Sequence, residues 1–415
     1  MMPIPKRFLP VKRALAIAIL GVMIVATMRL YSLWGAEASP FSDEVVDLRT
    51  VAMNIVRHSA GVQPGELVWI RGGADDVIFM ENLAVAVGAE GGHPLITVNS
   101  DEVTRRWYRE VDERYDAQRE EWTWQMYERA DVSIVIQSTD YSIYADIPEH
   151  RLKAWDDENA GLIEVIRRRG VREVRIGNGL YPARWQAAML GVELADLESV
   201  FFAGLSADPL HLAHSGARLQ EILEGAENVR IQHANGTNLR ISRGRGTIIV
   251  SDGRTSALPR EEGLEPLLNM TWLPAGEITL ALDPNRTEGR LVVERLLLDG
   301  QVLGPMTLVY SDGELQSLHS ETDVSAFRAY VESGEVLSDR LTGLKIGINP
   351  QVTDGRMLPW MGAGVVSVSM GSNVLLGGDI DLPFYFFLTL VGATIHVEDR
   401  LVVENGILVL PETTR

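Results

Sequence analysis

Two textures of hydrophobic patterning follow one another along the chain. In residues 44–61 the apolar positions Val45, Leu48, Val51, Met53, Ile55 and Val56 approximate one face of a helix that ends at a glycine. The turn-forming run Gln63-Pro64-Gly65-Glu66 comes next, and then Leu67-Val68-Trp69-Ile70, a short apolar run typical of a buried strand. Residues 77–87 read as a helix and 94–98 as a strand. The rhythm returns at 131–137 (strand), 160–169 (helix) and 171–177 (strand). Strands alternating with helices predict crossover units on a parallel sheet, so residues 41–225 are expected to form an N-terminal α/β domain. Within it, residues 101–129 predict one or two helices packing Trp107, Tyr108, Tyr115, Trp122, Trp124 and Tyr127 on the sheet.

From Asn228 the texture changes. Short β-type runs recur at 229–231, 239–241, 247–250, 278–282, 292–298, 306–310, 365–370 and 394–403, split by Gly and Asp turns. Only 325–332 has a firm helical pattern. Residues 228–415 are therefore expected to be a C-terminal strand-rich α+β domain. A chain of 415 residues is long enough for two cores.

The first 38 residues stand apart. Lys6, Arg7, Lys12 and Arg13 precede an uncharged apolar stretch at 14–28, followed by Ala36-Glu37-Ala38. The stretch is shorter than the roughly 20 residues of a transmembrane helix. A basic leader, an apolar run and an A-x-A site match a secretory signal; the uncleaved alternative is a signal anchor with its basic end inward. Either way the rest of the chain is expected outside the cytoplasm, secreted, periplasmic or held at the membrane by this segment.

Composition narrows the function classes. A formal charge of −19 argues against a nucleic-acid-binding surface, which needs clustered Lys and Arg. The absence of cysteine excludes disulfides, thiolate nucleophiles and iron–sulfur clusters. No G-x-S-x-G elbow is present. Gly177-Asn178-Gly179 lacks a third glycine and reads as a turn, and Asp75-Asp76 read as helix N-terminal acids. Among eight histidines, His211 and His214 would share a helix face near Asp208, and His396 alternates with Glu398; surface positions are the expected reading of both.

Several segments, in order, resemble the M29 (aminopeptidase T-type) metallopeptidase family. They are the helix followed by Gly61-Val62-Gln63-Pro64-Gly65-Glu66, then Gly236-Thr237-Asn238-Leu239, then Asn269 through Glu277, similar to "N-x-P-x-G-E". Gly347-Ile348-Asn349-Pro350 follows, and then Gly371-Ser372-Asn373-Val374-Leu375-Leu376-Gly377-Gly378, similar to "G-x-N-x-x-x-G-G". The closing strand pair at 394–399 and 402–406 completes a resemblance that spans residues 41–410. It implies two divalent ions held by two glutamates, two histidines and an aspartate, a donor set that suits zinc, cobalt or manganese and peptide hydrolysis by an activated water.

Carried over position by position, the resemblance places Glu277 at the first glutamate and Gly343 at the second. Ser367 falls at the first histidine, and Tyr385 and Phe387 fall at the terminal "H-x-D" pair. Glycine and phenylalanine offer no donor atom, and serine and un-ionised tyrosine are poor ligands for divalent ions. No histidine lies between His319 and His396 to compensate. The expectation is a pseudoenzyme with no metal bound, acting by binding or assembly, with a peptide or an apolar small molecule as the candidate ligand of the former metal cleft and a homodimer implied by the resemblance. The alternative is a divergent metal-dependent aminopeptidase or other hydrolase that uses Glu277 and further ligands; a purely structural envelope role is the third reading.

Overall fold

The structure, a computed structural model, describes residues 47–139, 141–144, 147–255, 269–298, 301–352 and 360–410. The leader at 1–38 lies outside the described residues. Among the described residues no helix is long and apolar enough to cross a membrane.

The first half alternates as its periodicity predicts. Helix α1 (Leu48–Asn54) runs on through a π-helical turn at Ile55–Ser59, and strand β1 (Leu67–Gly73) follows. Helix α2 (Val77–Ala89) and strand β2 (His93–Asn99) complete the first crossover. Helices α3 (Asp101–Glu110) and α4 (Glu121–Arg129) precede β3 (Val132–Ile136); α5 (Glu149–Asn159) and α6 (Leu162–Arg169) precede β4 (Arg172–Ile176). Helices α7 (Arg184–Leu190), α8 (Leu194–Leu205) and α9 (Pro209–Glu224) close this half.

The strand order is β2-β1-β3-β4, all parallel. β1 and β3 are central and buried on both faces, as parallel strands covered by helices should be, whereas β2 lies at the edge and is largely exposed. The expectation for 101–129 needs correction. Only Tyr127 is buried against the sheet, edge-on to Trp69 at 5.3 Å, while Trp107, Tyr115 and Trp122 are exposed. Helix α3 buries no residue because it is charged on most sides and carries surface ion pairs such as Arg106–Glu110.

The second half is antiparallel. β5 (Asn228–Gln232), β6 (Asn238–Ser242) and β7 (Ile249–Ser251) lead to β8 (Met270–Leu273) and β9 (Glu277–Ala281). β10 (Glu288–Val293), β11 (Leu296–Leu298), β12 (Gln301–Leu303), β13 (Met306–Ser311) and β14 (Glu314–Ser320) come before helix α10 (Ser325–Val331). β15 (Leu341–Gly347), β16 (Val366–Gly371), β17 (Tyr385–Leu390), β18 (Thr394–Val397), β19 (Arg400–Glu404) and β20 (Ile407–Leu408) end the fold.

These strands build an eight-stranded sheet, β14-β13-β10-β6-β5-β18-β19-β20, and a five-stranded sheet, β17-β16-β15-β9-β7. One strand departs from this division: β8 pairs in parallel with β4 and becomes the fifth strand of the first sheet. After a link of three residues the chain enters β9 of the five-stranded antiparallel sheet. One hydrophobic core runs through both halves, from Val51 and Ile70 to Leu280, Val368 and Leu388.

Two asparagines brace this junction. Asn349, fully buried, donates from Nδ2 to Ala275 O at 2.7 Å and to Gly204 O at 3.0 Å, tying α8 to the link between β8 and β9. A Cβ on Gly276 would meet the Asn349 side chain at 2.4 Å, so only glycine fits beneath it. Asn373 does the same for the loop after β16: its Oδ1 accepts from Ile380 N at 2.9 Å and its Nδ2 donates to Thr342 O at 3.3 Å. A Cβ on Gly378 would strike the Asn373 amide at 2.3 Å. The segments that carry the family resemblance are thus the ones that hold this half in shape.

Candidate functional site

Strand register decides which side chains share a face. In antiparallel pairs, directly opposed residues project to the same side, and alternate residues along a strand do likewise. Glu277 on β9 faces Gly347 on β15; Lys345, two residues back, faces Thr279 on β9 and Ser367 on β16. Gly343 faces Ala281 and Ser369, Ser369 faces Phe387 on β17, and Gly371 faces Tyr385. Glu277, Gly343, Ser367, Tyr385 and Phe387 therefore all lie on one face of the five-stranded sheet, with Lys345, Thr279, Ser369 and Thr389 among them. They share this face although they span more than a hundred residues of sequence.

Sequence reasoning missed Lys345, which turns out to be central. Its Nζ is 3.6 Å from Glu277 Oε1, 4.6 Å from the centroid of the Phe387 ring and 5.7 Å from that of Trp360. The Phe387 ring in turn packs on Trp360 at 5.2 Å and edge-on to Tyr385 at 4.7 Å. An ammonium held between a carboxylate and aromatic faces is favoured by charge and by the ring quadrupoles. Alternation carried the missing signal: Lys345 stands two residues after Gly343 and so shares its face.

The family model described as "Thermophilic metalloprotease (M29)" matches residues 45–338. The chain belongs to the M29 peptidase family. Two solved structures are similar over nearly their whole lengths. Wild-type AmpT from Thermus thermophilus is 14% identical with a TM-score of 0.59, covering 88% of this chain and 99% of AmpT. A 2,5-dihydroxypyridine dioxygenase from Pseudomonas putida KT2440 is 14% identical with a TM-score of 0.55, covering 89% and 98%. At that identity both show the fold alone, and their different chemistries illustrate that a fold does not dictate an activity. No curated protein matches this chain.

An M29 protein normally binds divalent metal, so the donor set on this face is the relevant test. Glu277 supplies one carboxylate. Its Oε2 is buried with no hydrogen-bond partner among the described residues, and burial pushes the carboxyl above the usual range, with Lys345 offsetting part of that rise. Gly343 supplies nothing, and the space a side chain would fill is taken by Ser369 Oγ, 2.4 Å from an added Cβ. Ser367 Oγ is engaged with Thr389 Oγ1 at 2.8 Å.

Tyr385 is held as a neutral phenol: burial raises its pKa far above the ordinary value and the charge of Glu277 adds to the rise. Phe387 supplies only its ring. A neutral phenol, a hydroxyl and a phenyl ring beside a resident ammonium do not fit a pair of divalent cations. Among the described residues no three His, Cys, Asp or Glu side chains gather as a metal-holding group.

The other candidates are accounted for locally. Asp208 caps α9, accepting from Leu210 N at 2.9 Å, with His211 and His214 both exposed on that helix. Glu398 does not alternate with His396 on the strand; it sits in the following turn and accepts from Glu227 N and Asn228 N, both at 2.8 Å. Asp76 stands at the N-terminus of α2, as its sequence position suggests, and is buried there. It accepts from Gly73 N at 2.7 Å, Tyr181 Oη at 2.6 Å and the Ser138 hydroxyl. Gly177, Asn178 and Gly179 all have positive φ and form a turn.

Proposed function

We propose that this chain is an M29-family protein without metallopeptidase activity, which acts by binding a ligand on the sheet face around Glu277 and Lys345. The single observation that carries this reading is the Lys345 ammonium, set 3.6 Å from the only carboxylate among the five former ligand positions. A fixed positive charge there supplies the countercharge that Glu277 would otherwise take from a metal ion and repels a divalent cation approaching it. Phe387, Trp360 and Tyr385 add an aromatic, partly accessible wall suited to a peptide or an apolar small molecule. Placement outside the cytoplasm, secreted or tethered through the N-terminal segment, and homodimer formation are parts of the same proposal. They are supported by the basic-apolar leader and by the family resemblance respectively.

Metal content by elemental mass spectrometry, together with an aminopeptidase panel in added zinc, cobalt and manganese, tests the central claim. The expected result is less than about 0.1 ion per chain and no cleavage. One or two tightly held ions with activity would overturn it in favour of a divergent metal-dependent hydrolase, the reading that the unpartnered Glu277 Oε2 would then support.

A further inference from the structure

Glu277 and Lys345 leave hydrogen-bonding capacity unused. Their contact of 3.6 Å is longer than a hydrogen bond, and Glu277 Oε2 is buried without a partner among the described residues. The Lys345 ammonium carries three N–H donors, and its aromatic neighbours Phe387 and Trp360 attract its charge without accepting a conventional hydrogen bond. Native proteins satisfy nearly all buried polar atoms, so an acceptor left open beside open donors marks a place where something else supplies the match. Both side chains keep a narrow opening to solvent, 10% for Glu277 and 14% for Lys345.

The charges restrict what fits. An ammonium ligand would set a second cation beside Lys345, and a carboxylate ligand would set a second anion beside Glu277. A neutral group with a donor and an acceptor on one edge satisfies both without adding charge. A trans peptide unit does not qualify, because its N–H and C=O point in opposite directions. A primary carboxamide does, because one N–H lies on the same side as the carbonyl oxygen.

We propose that Glu277 and Lys345 together read the donor–acceptor edge of a primary carboxamide, the amide N–H donating to Glu277 Oε2 and the carbonyl accepting from Lys345 Nζ, with the body of the ligand lying against Phe387 and Trp360. This deepens the preceding proposal and rests on its claim that no metal ion occupies Glu277.

Calorimetric titration of the full-length protein with benzamide, N-methylbenzamide, benzoate and benzylamine tests it. Benzamide is expected to bind, and N-methylbenzamide, whose N–H is turned away from its carbonyl, to bind about tenfold more weakly or worse. Benzoate and benzylamine are both expected to bind more weakly than benzamide. E277A and K345M should each weaken benzamide by about tenfold, with circular dichroism confirming the fold. The N-methylbenzamide comparison needs no variant and decides the matter if either variant fails to fold.

Equal affinity for the two amides, preference for benzoate or benzylamine, or no benzamide binding would each overturn the proposal. Metal content measured on the same sample separates the two levels. A bound ion would sink the preceding reading, whereas a metal-free protein indifferent to benzamide would sink this one alone.

Discussion

Glu173 in the parallel sheet and Glu277 in the antiparallel sheet are both buried, and they are treated in opposite ways. Glu173 accepts from Tyr127 Oη at 2.9 Å and from Arg175 Nε, and the nearby Arg71 guanidinium stacks on Trp69 at 4.1 Å. Burial pushes the Glu173 carboxyl up, but Arg175 and Arg71 outweigh it and the net shift is downward. Glu277 meets one ammonium at a distance, keeps one oxygen without a partner, and shifts upward. A carboxylate with both oxygens engaged belongs to the architecture, and a buried one with an oxygen left over is available to something outside the chain.

Substitutions should separate the two. Glu173→Ala removes the carboxylate that balances Arg71 and Arg175 and should cost about 3–5 kcal/mol by urea unfolding. Lys345→Met leaves Glu277 without its counter-ion; because that contact, at 3.6 Å, is longer than a hydrogen bond, a smaller loss of about 2–3 kcal/mol is expected at neutral pH. The double variant Glu277→Gln/Lys345→Met should recover much of it, and an additive result would mean that the two side chains do not interact.

The pH dependence should differ in sign. Glu173, with its folded pKa depressed, contributes stability that is present above its unfolded value near 4.5 and lost as pH falls through the folded value. Glu277, with its folded pKa raised, contributes stability that is present below about 4.5 and lost as pH rises through the folded value. Melting of Glu277→Gln should therefore gain on the native protein as pH climbs from about 4 to 7, while Glu173→Gln should lose ground over the interval in which Glu173 ionises. Parallel curves for the two variants would erase the distinction. The smallest effect concerns the glycine that shares the Glu277 face: Gly343→Ala should cost about 1 kcal/mol by forcing Ser369 aside, and Ser369→Ala should relieve it.

How much of this was legible in the sequence depended on the type of signal. The helix–strand rhythm of the first half announced itself because strands buried on both faces are apolar runs bounded by turns, as at Leu67 to Ile70. Glu277 was read from its own segment at 269–277, and Gly343, Ser367, Tyr385 and Phe387 by spacing from Asn349, Asn373 and Gly378, whose packing leaves little freedom in the number of intervening residues. Lys345 was passed over because a lone lysine inside a strand looks like a solvent-facing residue. Trp360 lies outside any strand or helix, where no period points to it. The exposure of Trp107 and Trp122 was not foreseen because aromatic content suggests burial, whereas the charged surface of α3 decides otherwise. Pairing of β8 with β4 joins positions almost a hundred residues apart, and nothing local encodes it.

That last pairing bears on how this protein would behave if divided. A gene fragment ending near Gly225 would contain four strands of the parallel sheet and none of the fifth. The far side of β4, where Glu173 to Ile176 pair with Met270 to Leu273, would become a bare edge offering its hydrogen bonds to any passing chain. The complementary fragment would begin a few residues before its own sheets and carry β8 with no sheet to join. The change of sequence texture at that point is real, but it is no seam along which to cut.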